Sequence, residues 1–426
     1  MSENRLTETI EKKKERAVLC GLAAACFAPG ESSTDVSMAE LAALVETAGG
    51  EAVAFLVQNR AAPDPRSFIG EGKEEELRAL IEANDCDLVV FDNELSPSQM
   101  RVLSEDLKTK VMDRSGLILD IFAQRARTRE GQLQVELAQY KYLLPRLLGM
   151  WTHLERQEGA IGTRGPGETQ LESDRRHIRR KIQKLEEELA EVRKVRATQR
   201  RRREKNEMPT VALVGYTNAG KSTLLNRLTG SDIPANDRLF DTLDTTTRRM
   251  MVSDAQEVLL SDTVGFIRKL PTHLIEAFKA TLEELQYADV LLHVIDMSSE
   301  EWRSQAEIVD GLIAQLGAEG TPCIRVCNKC DICPDLLPRE RDSVCISAKT
   351  GEGIDELKAL IAEKLGTRLH RAVFRIPYDR GALVQLLHDE ANVLRLDYAE
   401  DGTVVEAVVK PELWAKVKAY EVRNEE

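Results

Sequence analysis

Residues 211 to 223, Val-Ala-Leu-Val-Gly-Tyr-Thr-Asn-Ala-Gly-Lys-Ser-Thr, run from a buried-strand pattern through a glycine-bounded turn into the start of a helix. Gly215, Gly220, Lys221 and Ser222 stand at the spacing G-x-x-x-x-G-K-S. With small residues at those points, the backbone N–H groups of Gly215, Tyr216, Thr217, Asn218, Ala219 and Gly220 can wrap a phosphate. Lys221 neutralises it and the Ser222 hydroxyl can hold magnesium. The helix beginning near Lys221 adds its free N–H groups and the positive end of its dipole. Such an octapeptide also arises by chance, so its neighbours decide whether it is a nucleotide site.

Further signatures follow in the order that a guanine-nucleotide site needs. Asp262-Thr263-Val264-Gly265 comes directly after the strand-like Val258-Leu259-Leu260. An acidic residue there reaches magnesium, usually through water, and Gly265 can donate its backbone N–H to a γ-phosphate. Asn328-Lys329-Cys330-Asp331 follows another strand pattern. The Asp331 carboxylate can accept both the N1–H and the N2–H of guanine, donors that adenine does not offer in the same place, which favours GTP over ATP. Ser347-Ala348-Lys349 follows the next strand, where a backbone N–H can contact guanine O6. A switch threonine that closes on magnesium is sought in Phe240-Asp241-Thr242-Leu243-Asp244-Thr245-Thr246-Thr247-Arg248, and the residues alone do not choose among its four threonines. Each short motif is weak alone; in this order, each at a strand end, coincidence becomes remote.

The composition agrees with a multidomain globular protein. Of 426 residues, 42% are hydrophobic and 31% charged, which excludes a disordered or membrane-embedded chain. There is no apolar stretch of about 18 residues, and the opening Met-Ser-Glu-Asn-Arg lacks a signal-peptide core. The expectation is a cytoplasmic protein without an integral membrane segment, with peripheral membrane association left open. A net charge of −13 argues against indiscriminate coating of nucleic acid, although an average can hide a local basic surface, and no DNA partner is expected. The eight cysteines read as reduced thiols. Cys323, Cys327, Cys330 and Cys333 approach a metal-ligand or iron–sulfur spacing. However, Ile324 and Val326 alternate with Cys323 and Cys327 as in a core strand, where a buried thiol packs as a small hydrophobe.

Four domains are expected. Residues 1–122 alternate strand patterns (Ala17–Cys20, Ala52–Val57, Leu88–Phe91, Val111–Met112) with helical ones starting near Met38, Glu74 and Pro97, a small parallel α/β sheet. Its Gly70-Glu71-Gly72-Lys73 reads as a tight turn and helix cap rather than an anion site. Residues 123–206 carry apolar seams, Leu133, Leu137, Tyr140, Leu144, Leu147 and Trp151, then Ile178, Ile182, Leu185, Leu189 and Val192. These predict a projecting antiparallel coiled-coil hairpin, its second helix from about Glu172 to Glu204, with a loop at Gly162–Thr169 and a kink at Pro145. Residues 207–368 form the nucleotide domain, a doubly wound, mostly parallel sheet with strands at Val211–Val214, Glu257–Leu260, Val290–Ile295, Cys323–Cys327 and Val344–Ile346. Residues 369–426 read as a small α+β domain with strands at Ala372–Ile376 and Val404–Val409 and helices at Ala382–Leu394 and Pro411–Tyr420.

The second hairpin helix concentrates positive charge. Between residues 175 and 205 there are fourteen Lys and Arg against five Glu, with Arg200 to Arg203 flanked only by Glu204. Such a stripe is a footprint for an RNA phosphate backbone more than a solvated, internally paired face.

The phosphate-loop sequence with its following Leu-Leu-Asn, the Asp262-Thr-Val-Gly-Phe-Ile segment, and Arg164-Gly-Pro-Gly-Glu-Thr-Gln-Leu-Glu172 resemble the HflX family of translational GTPases, in the Obg–HflX branch. The resemblance spans all but the two ends of the chain and implies a monomeric GTPase. Its partners would be the large (50S) ribosomal subunit and its rRNA, with ribosome rescue by subunit separation as the outcome. It implies GTP as substrate, Mg2+ on Ser222 and the switch threonine, Lys221 and Gly265 at the γ-phosphate, and Thr242 as that threonine, with Thr246 second. Where the family pattern continues with Pro, this chain has Thr245. Asn218 is open between a potassium ligand and a polar filler. Many signalling GTPases place a water-orienting Gln where this chain has Phe266, so hydrolysis is expected to be slow until a partner orders the site. A ribosome-assembly or RNA-modification GTPase and a non-enzymatic RNA-binding scaffold are the rival readings, and an adenine-nucleotide site in the N-terminal sheet stays open.

Overall fold

The computed structural model describes residues 14–27, 31–150, 166–205, 208–231, 239–240, 246–253, 256–263, 265–270, 274, 285–333, 342–365, 370–399, 401–409 and 411–422. The chain divides into two compact units, residues 1–197 with 236–244 and 267–280, and residues 198–235 with 245–266 and 281–426.

In the first unit β1 (Arg16–Ala24), β2 (Glu51–Arg60), β3 (Leu88–Phe91) and β4 (Lys110–Asp113) form a parallel sheet in the order β2-β1-β3-β4. The inner strands β1 and β3 are apolar on both faces because helices cover both. Those helices are α1 (Asp35–Thr47), α2 (Glu71–Asn84), α3 (Pro97–Leu107) and α4 (Arg114–Arg125). Their starts are written locally. Thr34 and Ser37 form a capping box, Ser96 and Gln99 form another with Pro97 in the first turn, and Gly70 is the extended residue before α2, as its turn reading expected. Helix α4 has no counterpart among the sequence expectations. It buries Leu117, Ile118, Leu119, Ile121 and Phe122, a short apolar run that sequence pattern alone does not tell from a buried strand.

The hairpin consists of α5 (Arg129–Met150) and α6 (Pro166–Lys205). Leu133, Leu137, Leu185 and Leu189 form one cluster flanked by Tyr140, Ile182 and Val192, and Arg129 meets Glu188 while Glu136 meets Lys181, so rising numbers in one helix meet falling numbers in the other. Ion pairs Arg129–Glu188 and Lys141–Glu186 edge the seam at 2.6 and 2.8 Å. The expected loop at 162–169 is corrected in its second half: Pro166, Gly167, Glu168 and Thr169 are the first turn of α6. A proline at a helix start gives up only an N–H that the helix does not use. Helix α6 therefore begins before Glu172, and its 40 residues span about 60 Å at 1.5 Å each. Pro145 lies inside α5; Trp151 and Gly162–Gly165 lie outside the described residues.

The second unit is built on a six-stranded sheet ordered β10-β9-β8-β5-β7-β6, made of β5 (Thr210–Gly215), β6 (Thr246–Ser253), β7 (Gln256–Asp262), β8 (Val290–Asp296), β9 (Cys323–Asn328) and β10 (Ser343–Cys345). All neighbours are parallel except β6, which runs antiparallel to β7 at the edge. Helices α7 (Lys221–Thr229), α8 (Trp302–Gln315) and α9 (Ile354–Lys364) flank the sheet. The sequence missed β6 because the adjacent Arg248 and Arg249 break the apolar–polar alternation. The C-terminal part is a three-stranded antiparallel sheet, β11 (His370–Ile376), β13 (Gly402–Val409) and β12 (Asn392–Ala399) in that order, with α10 (Gly381–Glu390) and α11 (Pro411–Val417). The helix expected over Ala382–Leu394 ends at Glu390, and Ala391 turns extended at φ −125°, ψ 161°. Val393 and Leu394 belong instead to β12, whose bulge by Arg395 and exposed Leu394 and Tyr398 hide the strand period.

Candidate guanine-nucleotide site

The site is assembled at the carboxyl ends of β5, β7 and β9, where parallel sheets of this type hold ligands. β5 ends in Gly215, and a Cβ there would run into the Val294 carbonyl on β8. The loop then turns through Asn218 at φ +62° and Gly220 at φ +94°. A Cβ at Gly220 would strike the Asn328 side-chain amide, so only glycine lets the loop approach that residue. Asn tolerates the left-handed conformation better than most residues, a local reason for Asn218 independent of any ion. The Gly220–Lys221 step caps α7, whose first N–H groups face the loop.

Lys221 is buried and donates its Nζ to the carbonyls of Gly215 (3.1 Å) and Tyr216 (2.8 Å). Burial pushes its ammonium down to about 8, and the Asp262 carboxylate acts in the opposite sense. The Ser222 hydroxyl donates to Asp262 Oδ2 at 3.0 Å. The segment after Asp262 is stitched beneath the phosphate loop: the Thr217 N–H donates to the Phe266 carbonyl (2.7 Å), the Phe266 N–H to the Gly215 carbonyl (3.1 Å), and Thr263 Oγ1 to the Leu213 carbonyl (2.6 Å). Gly265 sits so close that a Cβ on it would press on Thr217 and Lys221 Nζ. Phe266 itself is 1% exposed.

Asn328 joins the base side to the phosphate side. Its Nδ2 donates to the Ala219 carbonyl at 2.8 Å, and its Oδ1 accepts the Ala348 N–H at 3.0 Å. Lys329 takes φ +64° and its Nζ reaches Asp296 at 2.6 Å, while Asp331 and Lys349 remain exposed. Ser347 is buried, and its Oγ accepts the Thr350 N–H.

Gly215, Tyr216, Thr217, Asn218, Ala219, Gly220, Lys221, Ser222, Asp262, Thr263 and Gly265 are thus one cluster, joined by Asn328 to Lys329, Cys330, Asp331, Ser347, Ala348 and Lys349. Phe240 belongs to the first unit, where its ring meets Phe122 edge-on at 4.7 Å and 86°. Asp241, Thr242, Leu243, Asp244 and Val264 lie outside the described residues. Thr246 opens β6 and pairs with Asp262 in the ladder. Two contributors carry no sequence signal. Arg227, in the last turn of α7, bonds the carbonyls of Ala348 (3.1 Å) and Lys349, and Asp296 anchors Lys329.

The donor set fits the expected ligands. A buried Thr217 hydroxyl with no protein partner among the described residues, a buried lysine and a ring of backbone N–H groups suit a polyphosphate. Ser222 and Asp262 offer the hard oxygen ligands that Mg2+ takes. Among the described residues no group of three His, Cys, Asp or Glu side chains is arranged for a metal. Cys323 and Cys327 lie in β9, with Cys327 buried and Cys323, Cys330 and Cys333 half-buried. Among the described residues no helix is long and apolar enough to cross a membrane.

A phosphate loop, an acidic magnesium-side strand end and an Asn-Lys-x-Asp base loop on one mostly parallel sheet define a P-loop GTPase. Family models match along the chain: the N-terminal region of GTP-binding GTPases over residues 35–123, their middle region over 125–203, a 50S ribosome-binding GTPase over 210–329, and the HflX C-terminal domain over 337–413. GTPase HflX of Caldanaerobacter subterraneus subsp. tengcongensis is 45% identical over 97% of this chain and 95% of its own. GTPase HflX of Escherichia coli is 46% identical over 86% of this chain and 87% of its own. A Sulfolobus solfataricus GTP-binding protein solved with GDP aligns over 83% of this chain and 99% of its own, at 23% identity and TM-score 0.43. The chain belongs to the HflX family, and it is a GTP hydrolase.

Proposed function

We propose that this GTPase binds the large ribosomal subunit and its rRNA in the GTP state, separates the subunits of stalled or idle ribosomes, and leaves when GTP is hydrolysed. The observation that carries this reading is α6: a helix of about 60 Å with fourteen basic residues against five acids between 175 and 205, joined to a nucleotide switch. The 50S ribosome-binding family model over 210–329 supports it. Its setting would be the cytoplasm, and the working unit a monomer.

In this reading Lys221 and the loop N–H groups hold the β- and γ-phosphates, Ser222 and Thr242 ligate Mg2+, and Asp262 steadies the ion through water. Mg2+ neutralises charge that develops on the transferred phosphoryl group. Asp331 selects guanine. Gly265 donates its N–H to the γ-phosphate, and Phe266, being apolar and buried, leaves the attacking water without a side-chain partner at that position. Hydrolysis is therefore slow until the ribosome orders the switches. Asn218 would hold K+ against the phosphates if this GTPase uses one.

Sedimentation with isolated large subunits tests the proposal. Co-migration with a non-hydrolysable GTP analogue and not with GDP is the expected result; tight binding with GDP and none with the analogue would sink it.

A further inference from the structure

Cys330, inside the base-recognition loop, has a second cysteine beside it. β10 pairs with β9 in parallel with Cys345 opposite Cys327, and the Cys330 N–H donates to the carbonyl of Ile346, the next residue after Cys345. Both side chains pack on one apolar cluster of Ile295, Met297, Trp302 and Cys327. The Cys330 thiol donates to the Cys327 carbonyl at 3.1 Å, and the Cys345 side chain packs on the same cluster. Neither is fully buried, so a small oxidant reaches them. Both flank the base side of the nucleotide site: Asp331 follows Cys330, and Ser347-Ala348-Lys349 begins two residues beyond Cys345.

We propose that Cys330 and Cys345 are a reversible dithiol–disulfide pair, oxidised by peroxide, whose closure ties the Asn328–Asp331 loop to the Ser347–Lys349 loop and weakens guanine-nucleotide binding. The proposal rests on the assignment of Asp331 to guanine. The Cys330 thiol holds its proton against the Cys327 carbonyl, and burial and then the neighbouring Cys345 raise it, so Cys345 is taken as the attacking sulfur. The Cys345 thiolate attacks one peroxide oxygen and the O–O bond breaks. The departing hydroxide takes up the thiol's proton and leaves as water, and Cys345 is left as a sulfenic acid. The Cys330 sulfur then attacks the Cys345 sulfur, the S–O bond breaks, and the hydroxide released takes the Cys330 proton as a second water. Two thiols and one hydrogen peroxide give one disulfide and two waters. Drawing the sulfurs to a bond length of about 2.05 Å removes the Cys330 bond to the Cys327 carbonyl. Moving the Cys330 sulfur also displaces the residue between Lys329, at φ +64°, and Asp331.

The experiment uses the full chain, reduced and then treated with hydrogen peroxide, with unreduced tryptic peptides mapped by mass and affinity read with a fluorescent GDP. Trypsin releases peptides 330–339 and 342–349. The expected result is that they appear joined, two hydrogens lighter, also in a Cys333→Ser background, and that the GDP dissociation constant rises about tenfold, close to 1.4 kcal/mol. A thiol reductant restores both, and Cys345→Ser keeps its affinity under peroxide. Separate, individually alkylated peptides after peroxide, or joined peptides with unchanged GDP affinity, overturn the proposal. Failure of the reduced protein to bind GDP would instead overturn the guanine-site reading, so the two failures are told apart.

Discussion

The Ser222 hydroxyl and the Asp262 carboxylate, 3.0 Å apart, tie the start of α7 to the end of β7. In the proposed site Ser222 would ligate Mg2+ and Asp262 would reach it through water, so Ser222→Ala removes one ligand without disturbing the sheet. GTP turnover with Mg2+ should fall by about 100-fold or more, while GDP binding without Mg2+ changes little. A magnesium titration of both quantities checks this.

Lys221 gives a pH signature. Its burial lowers the ammonium to about 8, below the unfolded value of about 10.5, so in the free protein the unfolded chain holds more protons between those limits. Stability of the nucleotide-free second unit therefore rises as pH climbs through that window and is lost as pH falls through 8. A bound phosphate favours the charged lysine. Nucleotide binding should then take up a proton above pH 8, with affinity flat below and falling by up to about tenfold per pH unit above. Calorimetric titrations at pH 7 and 9, in buffers of different ionisation enthalpy, read the proton uptake.

Asp331 is exposed and its carboxylate matches two guanine donors. Asp331→Asn keeps the shape but puts a donor opposite a donor. GTP affinity should drop by about 100-fold, with xanthosine triphosphate, which carries an oxygen at that position, binding better than GTP. Competition between the two nucleotides measures the switch.

In the first unit Asp92 is fully buried and accepts from Arg114 Nη1 (2.8 Å), Ser33 (2.7 Å), Ser37 (2.9 Å) and Lys269. Burial alone would raise the Asp92 carboxyl, but Arg114 and then Lys269 outweigh it and hold the carboxyl below the ordinary range. The stability this provides is present above pH 4 and is lost as pH falls through the lowered value. Asp92→Asn should cost about 3 kcal/mol near neutrality, and the gap to the wild type should narrow below pH 4. Denaturant melts at pH 7 and pH 3.5 give the comparison.

Reversing Arg200 to Arg203 should weaken binding to the large subunit and flatten its salt dependence, by about 0.7–0.9 in log–log slope for each phosphate no longer neutralised. Nucleotide affinity should stay unchanged. Sedimentation across a salt series, with fluorescent-nucleotide titration alongside, separates the two.

The phosphate loop, the D-x-x-G segment and the base loop could be read from sequence because each needs glycine, lysine or acid at a fixed distance from a strand end. The hairpin seams were equally plain at Leu133, Leu137, Leu185 and Leu189, since a coiled coil repeats its apolar residues. Helix α4 was not, because its apolar residues come as the short run Leu117-Ile118-Leu119 and Ile121-Phe122, which reads equally as a buried strand. Strands β6 and β12 were missed at sheet edges, where Arg248, Arg249, Leu394 and Tyr398 interrupt alternation. Asn328 was recognised as a motif residue, but its role as the brace between Ala219 and Ala348 depends on distant segments meeting, and the Arg227 bond to Ala348 has no local pattern at all. The partnership of Cys330 with Cys345 is of the same kind, since it exists only through the register of β9 and β10.

The central claim is a guanine-specific switch that hydrolyses poorly until the ribosome completes it. GTP hydrolysis with and without isolated large ribosomal subunits tests it most directly. The expected result is slow turnover by the protein alone and a rate at least about tenfold higher, worth at least about 1.4 kcal/mol of barrier, when subunits are added. The same rate with and without subunits would contradict it.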